Sequence, residues 1–211
     1  MSGRSGVLAP SLRLWLALMA AFGAPGVALL GVVYGGEGGP GAVDARIGAA
    51  VDGVGAPWRD VALAVDALGE PVGAVVLVAA AVAGCLLLRQ PRAAVFLLTG
   101  VGLSVVAATL LKHLVGRTIH GANLSYPSGH TAFLTAFTLV LAVLAARDRT
   151  AGPLLVVAAA LLAGAVMGWA EVALGAHYPT DTLGGWCTAL AVTPATGWLV
   201  DRTTGRWYAP H

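Results

Sequence analysis

Six long apolar runs constrain the fold of this 211-residue chain more than any other feature. About 20 residues of helix, rising 1.5 Å each, cross the hydrocarbon core of a bilayer. Hydrophobic residues make up 58% of the chain and charged residues only 10%, which is too little charge to cover a water-facing surface. The sequence therefore predicts an all-α integral membrane bundle of six transmembrane helices in a single domain, residues 1–211. The predicted spans are residues 12–33, 72–88, 93–111, 131–146, 153–169 and 182–200.

The distribution of charge predicts the orientation of this bundle. Cytoplasmic segments of membrane proteins carry an excess of arginine and lysine. Placing the amino terminus inside puts eight arginines on the cytoplasmic side, namely Arg4, Arg13, Arg89, Arg92, Arg147, Arg149, Arg202 and Arg206. The other side then has only Arg46, Arg59, Lys112 and Arg117. We expect a multi-pass protein of the cell membrane with both termini cytoplasmic. Its polar connection 35–71 would be extracytoplasmic, with a short interfacial helix over 61–68.

Net charge gives no indication of a nucleic-acid partner, since the formal charge is only +2 and no basic stripe is present. The two cysteines, Cys85 and Cys187, lie within apolar runs and lack a metal-binding spacing, so we interpret them as packing residues. The sequence does not indicate the oligomeric state.

A first candidate site lies at the start of the fourth span. Ser128 stands where a helix N-cap is expected, and Gly129 and His130 follow it. The free N–H groups and the dipole of a helix N-terminus favour a bound anion, and a glycine lets the backbone approach it closely. An ordinary cap beside an interfacial histidine would show the same pattern.

A second candidate site lies at the start of the sixth span. Pro179 suits the first turn of a helix, and Asp181 falls within that turn. A spacing of four residues brings Asp181 near the ring of His177, provided that the segment is helical. A carboxylate at one ring nitrogen fixes the tautomer and leaves the other nitrogen free to attack. A surface histidine beside an unrelated aspartate is the alternative.

Together with Lys112, the chain's single lysine, these motifs resemble the type 2 phosphatidic acid phosphatase (PAP2) family, the membrane relatives of vanadium haloperoxidases. The family signature is K-x6-R-P, then P-S-G-H, then S-R-x5-H-x3-D. Residues 127–130 match the second motif, and His177 with Asp181 matches the end of the third. The resemblance implies that a lipid phosphate is the substrate. In this mechanism His177 forms a phosphohistidine, Asp181 orients it and His130 protonates the leaving oxygen. No metal or other cofactor is implied.

The resemblance also implies a set of phosphate ligands, although the first motif departs from the family pattern. Lys112, Ser128 and the N–H group of Gly129 would stabilise charge on the phosphoryl oxygens. Counting from Lys112, Ile119 stands where the family has its arginine. Arg117, two residues earlier, is predicted to bind phosphate in its place.

The third motif departs from the pattern as well, because Glu171 stands where the family has arginine. One reading is that Arg117, with a protonated His113 or His120, replaces the missing cations and that Glu171 holds one of them in place. Glu171, His113 and His120 are then possible modulators of the site. A second reading is that Glu171 meets a polar group of the substrate, such as a sugar hydroxyl. A third is that the protein binds or carries a lipid phosphate with little or no turnover.

Two other enzyme classes fit the sequence less well. An intramembrane serine hydrolase using Ser128 and His177 would lack the G-x-S-x-G motif around its nucleophile. A zinc enzyme would lack H-E-x-x-H or a comparable ligand spacing. The sequence therefore predicts a lipid phosphomonoesterase. Polyprenyl phosphates, glycerophospholipid phosphates and phosphorylated lipid-linked sugars all remain possible substrates.

Overall fold

The computed structural model describes residues 6–51, 54–146 and 149–206. Within these ranges the chain forms eight helices and one two-stranded antiparallel ladder. The first four helices are α1 (Pro10–Val33), α2 (Ala42–Val51), α3 (Trp58–Asp66) and α4 (Pro71–Leu87). The others are α5 (Pro91–Val115), α6 (Gly129–Ala145), α7 (Gly152–Ala173) and α8 (Pro179–Arg206). The ladder joins β1 (Thr118–Ile119) to β2 (Asn123–Leu124) between α5 and α6.

Each of the six predicted spans coincides with one helix, namely α1, α4, α5, α6, α7 and α8. Among the described residues, α1, α5 and α7 are long and apolar enough to cross a membrane by themselves. Helices α3 and α4 together would make a fourth span, bent by 62°, while α6 is apolar but has only 17 residues. The predicted all-α membrane fold is confirmed.

The connection 35–71 is more ordered than the sequence indicates. The short helix predicted over 61–68 forms as α3 and begins three residues earlier, at Trp58. Helix α2, which the sequence analysis did not predict, precedes it. Of the arginines used to predict orientation, Arg4 and Arg147 lie outside the described residues, and the orientation stays a prediction.

Helix α6 lies at the centre of the bundle, in contact with α5, α7 and α8. Eleven of its 17 residues are buried, including Phe133, Leu139 and Val140. Helix α8 contacts α1, α5, α6 and α7, whereas α4 packs on α5 and buries none of its residues. Large apolar side chains such as Leu18, Phe22 and Val75 are exposed on the outer helices. Such a surface suits contact with lipid rather than water.

Two glycines of α8 allow this helix to approach the segment before α6. A Cβ atom on Gly184 would lie 2.3 Å from the ring of Tyr126, and one on Gly185 would lie 2.3 Å from the carbonyl oxygen of Ser128. Because any larger residue would collide there, these glycines let the starts of α6 and α8 meet. The two predicted candidate sites are therefore brought together.

Candidate active site

The starts of α6 and α8 are joined by a hydrogen bond between their motifs. Ser128 is the N-cap of α6, as predicted, and its Oγ accepts a hydrogen bond of 3.0 Å from the backbone N–H of Thr131. The backbone N–H of Ser128 donates to the carbonyl oxygen of Asp181 at 2.9 Å. The space beside Gly129 is open, since a Cβ there would have no neighbour within 4 Å. The helix end therefore has room for a ligand.

His177 lies in the connection between α7 and α8, and Asp181 lies in the first turn of α8. The Nδ1 atom of His177 is 3.7 Å from Oδ2 of Asp181, beyond hydrogen-bond distance but within electrostatic reach. The same carboxylate oxygen accepts the backbone N–H of Tyr178 at 3.1 Å. The Nε2 atom of His177 points the other way, towards Glu171. Nε2 is therefore the nitrogen available for attack on a ligand.

Arg117 is the hub of a buried ion-pair network behind His177. Its Nη1 atom donates to Oδ1 of Asp181 and its Nη2 atom to Oδ2 of Asp44, each at 2.6 Å, and neither partner's side chain is exposed. Nη1 also donates to the hydroxyl of Thr180 at 2.6 Å. Arg117 is thus paired with two carboxylates and is not free to bind a phosphate.

Aromatic rings and further hydrogen bonds enclose this network. The guanidinium carbon of Arg117 lies 4.4 Å from the ring centre of Tyr34 and 4.5 Å from that of Tyr178. Burial alone would raise the pKa of Asp44, but hydrogen bonds from Arg117 and Thr180 outweigh it and lower the pKa below its ordinary 3.8. Both groups of the pair are thus held charged, and Asp181 is fixed in position by Arg117.

Glu171 lies between the two candidate catalytic histidines. Its Oε1 atom is 3.5 Å from Nε2 of His177 and 3.6 Å from Nδ1 of His130. Its Oε2 atom accepts hydrogen bonds from the hydroxyls of Ser128 and Thr131. The carboxylate is buried and lies where the sequence predicts an anion, at the N-terminus of α6. The residue that departs from the family pattern therefore lies at the centre of the site.

The other predicted site residues lie around this centre. Lys112, in the last turn of α5, donates to the carbonyl oxygen of Leu124 at 3.3 Å and interacts electrostatically with Glu171 and Asp181. His120 is exposed and its Nε2 is 2.8 Å from the carbonyl oxygen of Gly175. His113 is exposed on α5. Of these three residues, Lys112 is the one that places a cation near Glu171 and Asp181.

A cavity of about 270 Å³ opens beside His177. Its lining includes Pro40, Ile119, His120, His177, Tyr178 and Pro179. The volume is slightly below the range of about 300–1,000 Å³ that is usual for ligand pockets. Ile119, which replaces the family arginine, contributes apolar surface to this cavity.

Sequence reasoning missed three acidic residues close to the site. Asp44 from α2 pairs with Arg117, and Asp66 and Glu70 from the α3–α4 junction face Nε2 of His130 at 4.0 and 3.6 Å. All three lie in the polar connection 35–71, among other acids that are exposed. No spacing in the sequence distinguishes them, because their partners are distant along the chain.

Comparisons with known proteins identify a matching family and a related sequence. Residues 118–204 match the PAP2 superfamily. A lipid A 1-phosphatase from Rhizobium etli is 32% identical over 118 aligned positions, which cover 45% of this chain and 47% of that protein. The match thus spans about half of that relative's length.

The fold is similar to that of a solved structure. The crystal structure of a transmembrane PAP2 type phosphatidylglycerolphosphate phosphatase from Bacillus subtilis superposes with a TM-score of 0.66, at 21% identity. The superposition covers 90% of this chain and 96% of that one. The chain therefore has the fold of a transmembrane PAP2 protein. Its residues 118–204 match the PAP2 superfamily, which the sequence motifs resemble.

Proposed function

We propose that this protein is a membrane phosphatase that hydrolyses a phosphomonoester on a lipid. The observation that carries the proposal is that Nε2 of His177 and Nδ1 of His130 face one buried carboxylate oxygen, Oε1 of Glu171, at 3.5 and 3.6 Å. A nucleophile and a general acid on either side of an anion are the arrangement that phosphoryl transfer through a covalent intermediate requires.

The proposed reaction proceeds in two steps. Nε2 of His177 attacks phosphorus, an N–P bond forms and the P–O bond to the lipid breaks. His130 transfers its Nδ1 proton to the leaving lipid oxygen. Water, deprotonated by His130, then attacks the phosphohistidine, which releases inorganic phosphate and regenerates the neutral ring of His177. Asp181 stabilises the positive charge on the His177 ring during both steps.

The charges around the site favour a monoester over a diphosphate. Lys112 is a cation that interacts with Glu171 and Asp181, whereas Arg117 is paired with Asp44 and Asp181. A second phosphate group would add negative charge beside Glu171 without a matching cation. The two similar proteins are named for phosphomonoesters of lipids, lipid A 1-phosphate and phosphatidylglycerolphosphate, which supports the same substrate class here.

Phosphate release from a panel of lipids tests this proposal. We expect the purified protein to release inorganic phosphate from at least one of a glycerophospholipid phosphate, a polyprenyl phosphate or a phosphorylated lipid-linked sugar. Orthovanadate, which can mimic five-coordinate phosphorus, should inhibit the release. Insensitivity to vanadate together with inactivation by a fluorophosphonate would instead indicate a serine hydrolase that uses Ser128.

The position of Glu171 supports a second candidate function, a lipid-phosphate binder with little turnover. A substrate phosphate between His130 and His177 meets the negative charge of this carboxylate. At about 4 Å and an effective dielectric constant of about 20, two unit charges repel by about 4 kcal/mol. A site that binds phosphate against such repulsion would be slow unless Glu171 takes up a proton or moves.

Glu171→Gln separates these two functions. The amide keeps the shape and the hydrogen bonds with Ser128 and Thr131 but removes the charge. We expect orthovanadate to bind at least about 10-fold more tightly to this variant, measured by calorimetry in the presence of a chelator. If the variant also releases phosphate faster than the wild type, the protein is a phosphatase whose activity Glu171 lowers. Weaker vanadate binding would contradict the proposed repulsion and show that the carboxylate helps to bind the anion.

A further inference from the structure

We propose that Glu171 binds a phosphoryl oxygen as a neutral carboxylic acid, with Oε1 as the hydrogen-bond donor, and that one proton is taken up from solution with each bound anion. Glu171 stands where the PAP2 motif has arginine, so an O–H donor would replace a cationic N–H donor. The inference rests on the proposed function for the identity of the ligand as a phosphoryl group. Proton uptake itself concerns the binding of an anion and does not require turnover.

The two carboxylate oxygens of Glu171 have different surroundings. Oε2 accepts hydrogen bonds from the hydroxyls of Ser128 and Thr131, the second at 2.7 Å. Oε1 is buried and has no hydrogen-bond partner among the described residues. It lies 3.5 Å from Nε2 of His177 and 3.6 Å from Nδ1 of His130, which is beyond the length of a direct hydrogen bond. Oε1 is therefore the oxygen that can carry a proton and meet a ligand.

A phosphoryl group that reacts with both histidines must lie beside this oxygen. Nε2 of His177 has to reach phosphorus, and the Nδ1 proton of His130 has to reach the leaving oxygen. Since both nitrogens lie within 3.6 Å of Oε1, the reaction brings phosphoryl oxygens to hydrogen-bond distance of Oε1. An ionised carboxylate can only accept hydrogen bonds, so two anionic oxygens would then face each other without a proton between them.

The surrounding charges favour the neutral form of Glu171 once an anion is bound. The charged or titratable side chains that act on it come from α3, α5, α6 and the α7–α8 connection, namely Asp66, Lys112, His130 and His177. Lys112 is the permanent cation in this set, and Asp66 adds negative charge. Helix α8 contributes Asp181, which is paired with Arg117. A phosphoryl dianion therefore exceeds the positive charge in this set, and a proton on Glu171 removes the closest like charge.

Neither histidine can take this proton in the proposed reaction. His177 must be unprotonated at Nε2 to attack, and His130 already carries the proton that it transfers to the leaving oxygen. The carboxylate is also held in place, because its side chain is only 1% exposed and movement would cost Oε2 both of its hydroxyl donors. Protonation of Glu171 in place is therefore the change that admits the anion. A buried carboxylic acid that is kept neutral can donate a hydrogen bond to an oxyanion.

Glu171→Gln is a permanent mimic of the protonated acid. Its amide oxygen can accept from Ser128 and Thr131 at the position of Oε2, and its NH₂ group can donate at the position of Oε1. Because the amide gains no proton, the variant should bind an anion without proton uptake at this position. Titration of the ligand and of the histidines is common to both proteins. The difference between the wild type and the variant therefore reports the proton on Glu171.

Calorimetry with orthovanadate measures this proton. The full-length protein in phosphatidylcholine nanodiscs is titrated in buffers of different ionisation enthalpy, and the dependence of the observed enthalpy on the buffer gives the number of protons taken up per anion. At about pH 6.5 we expect the wild type to take up about one proton more than Glu171→Gln. The ratio of the wild-type Kd to the variant Kd should rise about 5- to 10-fold from about pH 6 to about pH 7. Glu37→Gln, the same change on an exposed side chain, is the matched control and should behave as the wild type.

Infrared difference spectroscopy gives an independent measurement on the wild type. Vanadate binding should produce the carbonyl stretch of a protonated carboxylic acid, and this band should shift when the glutamates carry ¹³C. The chain has three glutamates, Glu37, Glu70 and Glu171. We expect Glu37→Gln and Glu70→Gln to keep the band and Glu171→Gln to lose it.

Equal proton uptake by the wild type and Glu171→Gln, or a Kd ratio that does not change with pH, would overturn the proposal. Absence of saturable vanadate binding in both proteins would overturn it too, because no anion would then meet Glu171. If Glu171→Gln does not fold, the isotope-shifted band in the wild type and in Glu70→Gln decides, and its absence contradicts the proposal. Phosphate release from the lipid panel tests the phosphatase function separately, so proton uptake without release would indicate a lipid-phosphate binder.

Discussion

Phosphate release by a His177→Ala variant is expected to be at least about 10³-fold slower than release by the wild type. Removing Nε2 removes the proposed nucleophile, and the remaining groups can only position water and stabilise charge. The ring is 10% exposed and lines the cavity beside α8. Release of inorganic phosphate from the best lipid of the panel, measured as kcat and KM, gives the comparison.

His113→Ala is the matched control for this experiment, because His113 is exposed on α5. We expect its rate to stay within about 2-fold of the wild type. In a rapid-quench experiment with a radiolabelled substrate, the wild type should also form an acid-labile phosphoprotein that His177→Ala lacks. Equal rates in the wild type and His177→Ala would exclude the phosphohistidine mechanism.

Asp44→Asn is expected to lower the free energy of unfolding by about 3 kcal/mol. The substitution removes one of the two carboxylates that neutralise Arg117, and breaking a buried pair in this way costs about 3–5 kcal/mol. For a chain of about 200 residues this corresponds to a fall in Tm of roughly 6–12 °C. Thermal unfolding in detergent, with Glu37→Gln as the exposed control, measures the difference.

The dependence of this effect on pH follows from the lowered pKa of Asp44. A carboxyl whose pKa is lower in the folded state stabilises the fold above its unfolded pKa, and this contribution is lost as pH falls through the folded value. The wild type should therefore lose its advantage over Asp44→Asn below about pH 4, near the ordinary carboxyl pKa of 3.8. An unchanged difference in Tm between pH 7 and pH 3 would show that the pair does not contribute through its charge.

The helices were predictable because their signal is local. Each apolar run is long enough to define a helix by itself, and the structure moves the predicted ends by only a few residues, apart from the longer ends of α5, α7 and α8. The N-cap at Ser128 and the helical turn that contains Asp181 were predictable for the same reason. In both places the residues that make the structure lie within four positions of each other.

The role of Arg117 was not predictable, because it depends on contacts over long separations. Asp44 lies 73 residues before Arg117, and Asp181 lies 64 residues after it. The sequence suggested a cation free to bind phosphate, whereas the structure shows a cation that fixes Asp181. Glu171 presents a similar case, since its hydroxyl partners Ser128 and Thr131 lie 43 and 40 residues away.

By itself the sequence determined the membrane fold, the approximate ends of the helices and the family motifs, because hydropathy and short spacings encode each of them locally. Only the tertiary structure decided which charges neutralise one another. Packing of α2 against α8 brings Asp44 to Arg117, and the α3–α4 junction brings Asp66 and Glu70 to His130. In a buried site with few cations, these pairings determine which groups remain free to meet a ligand, and they form only when distant helices pack together.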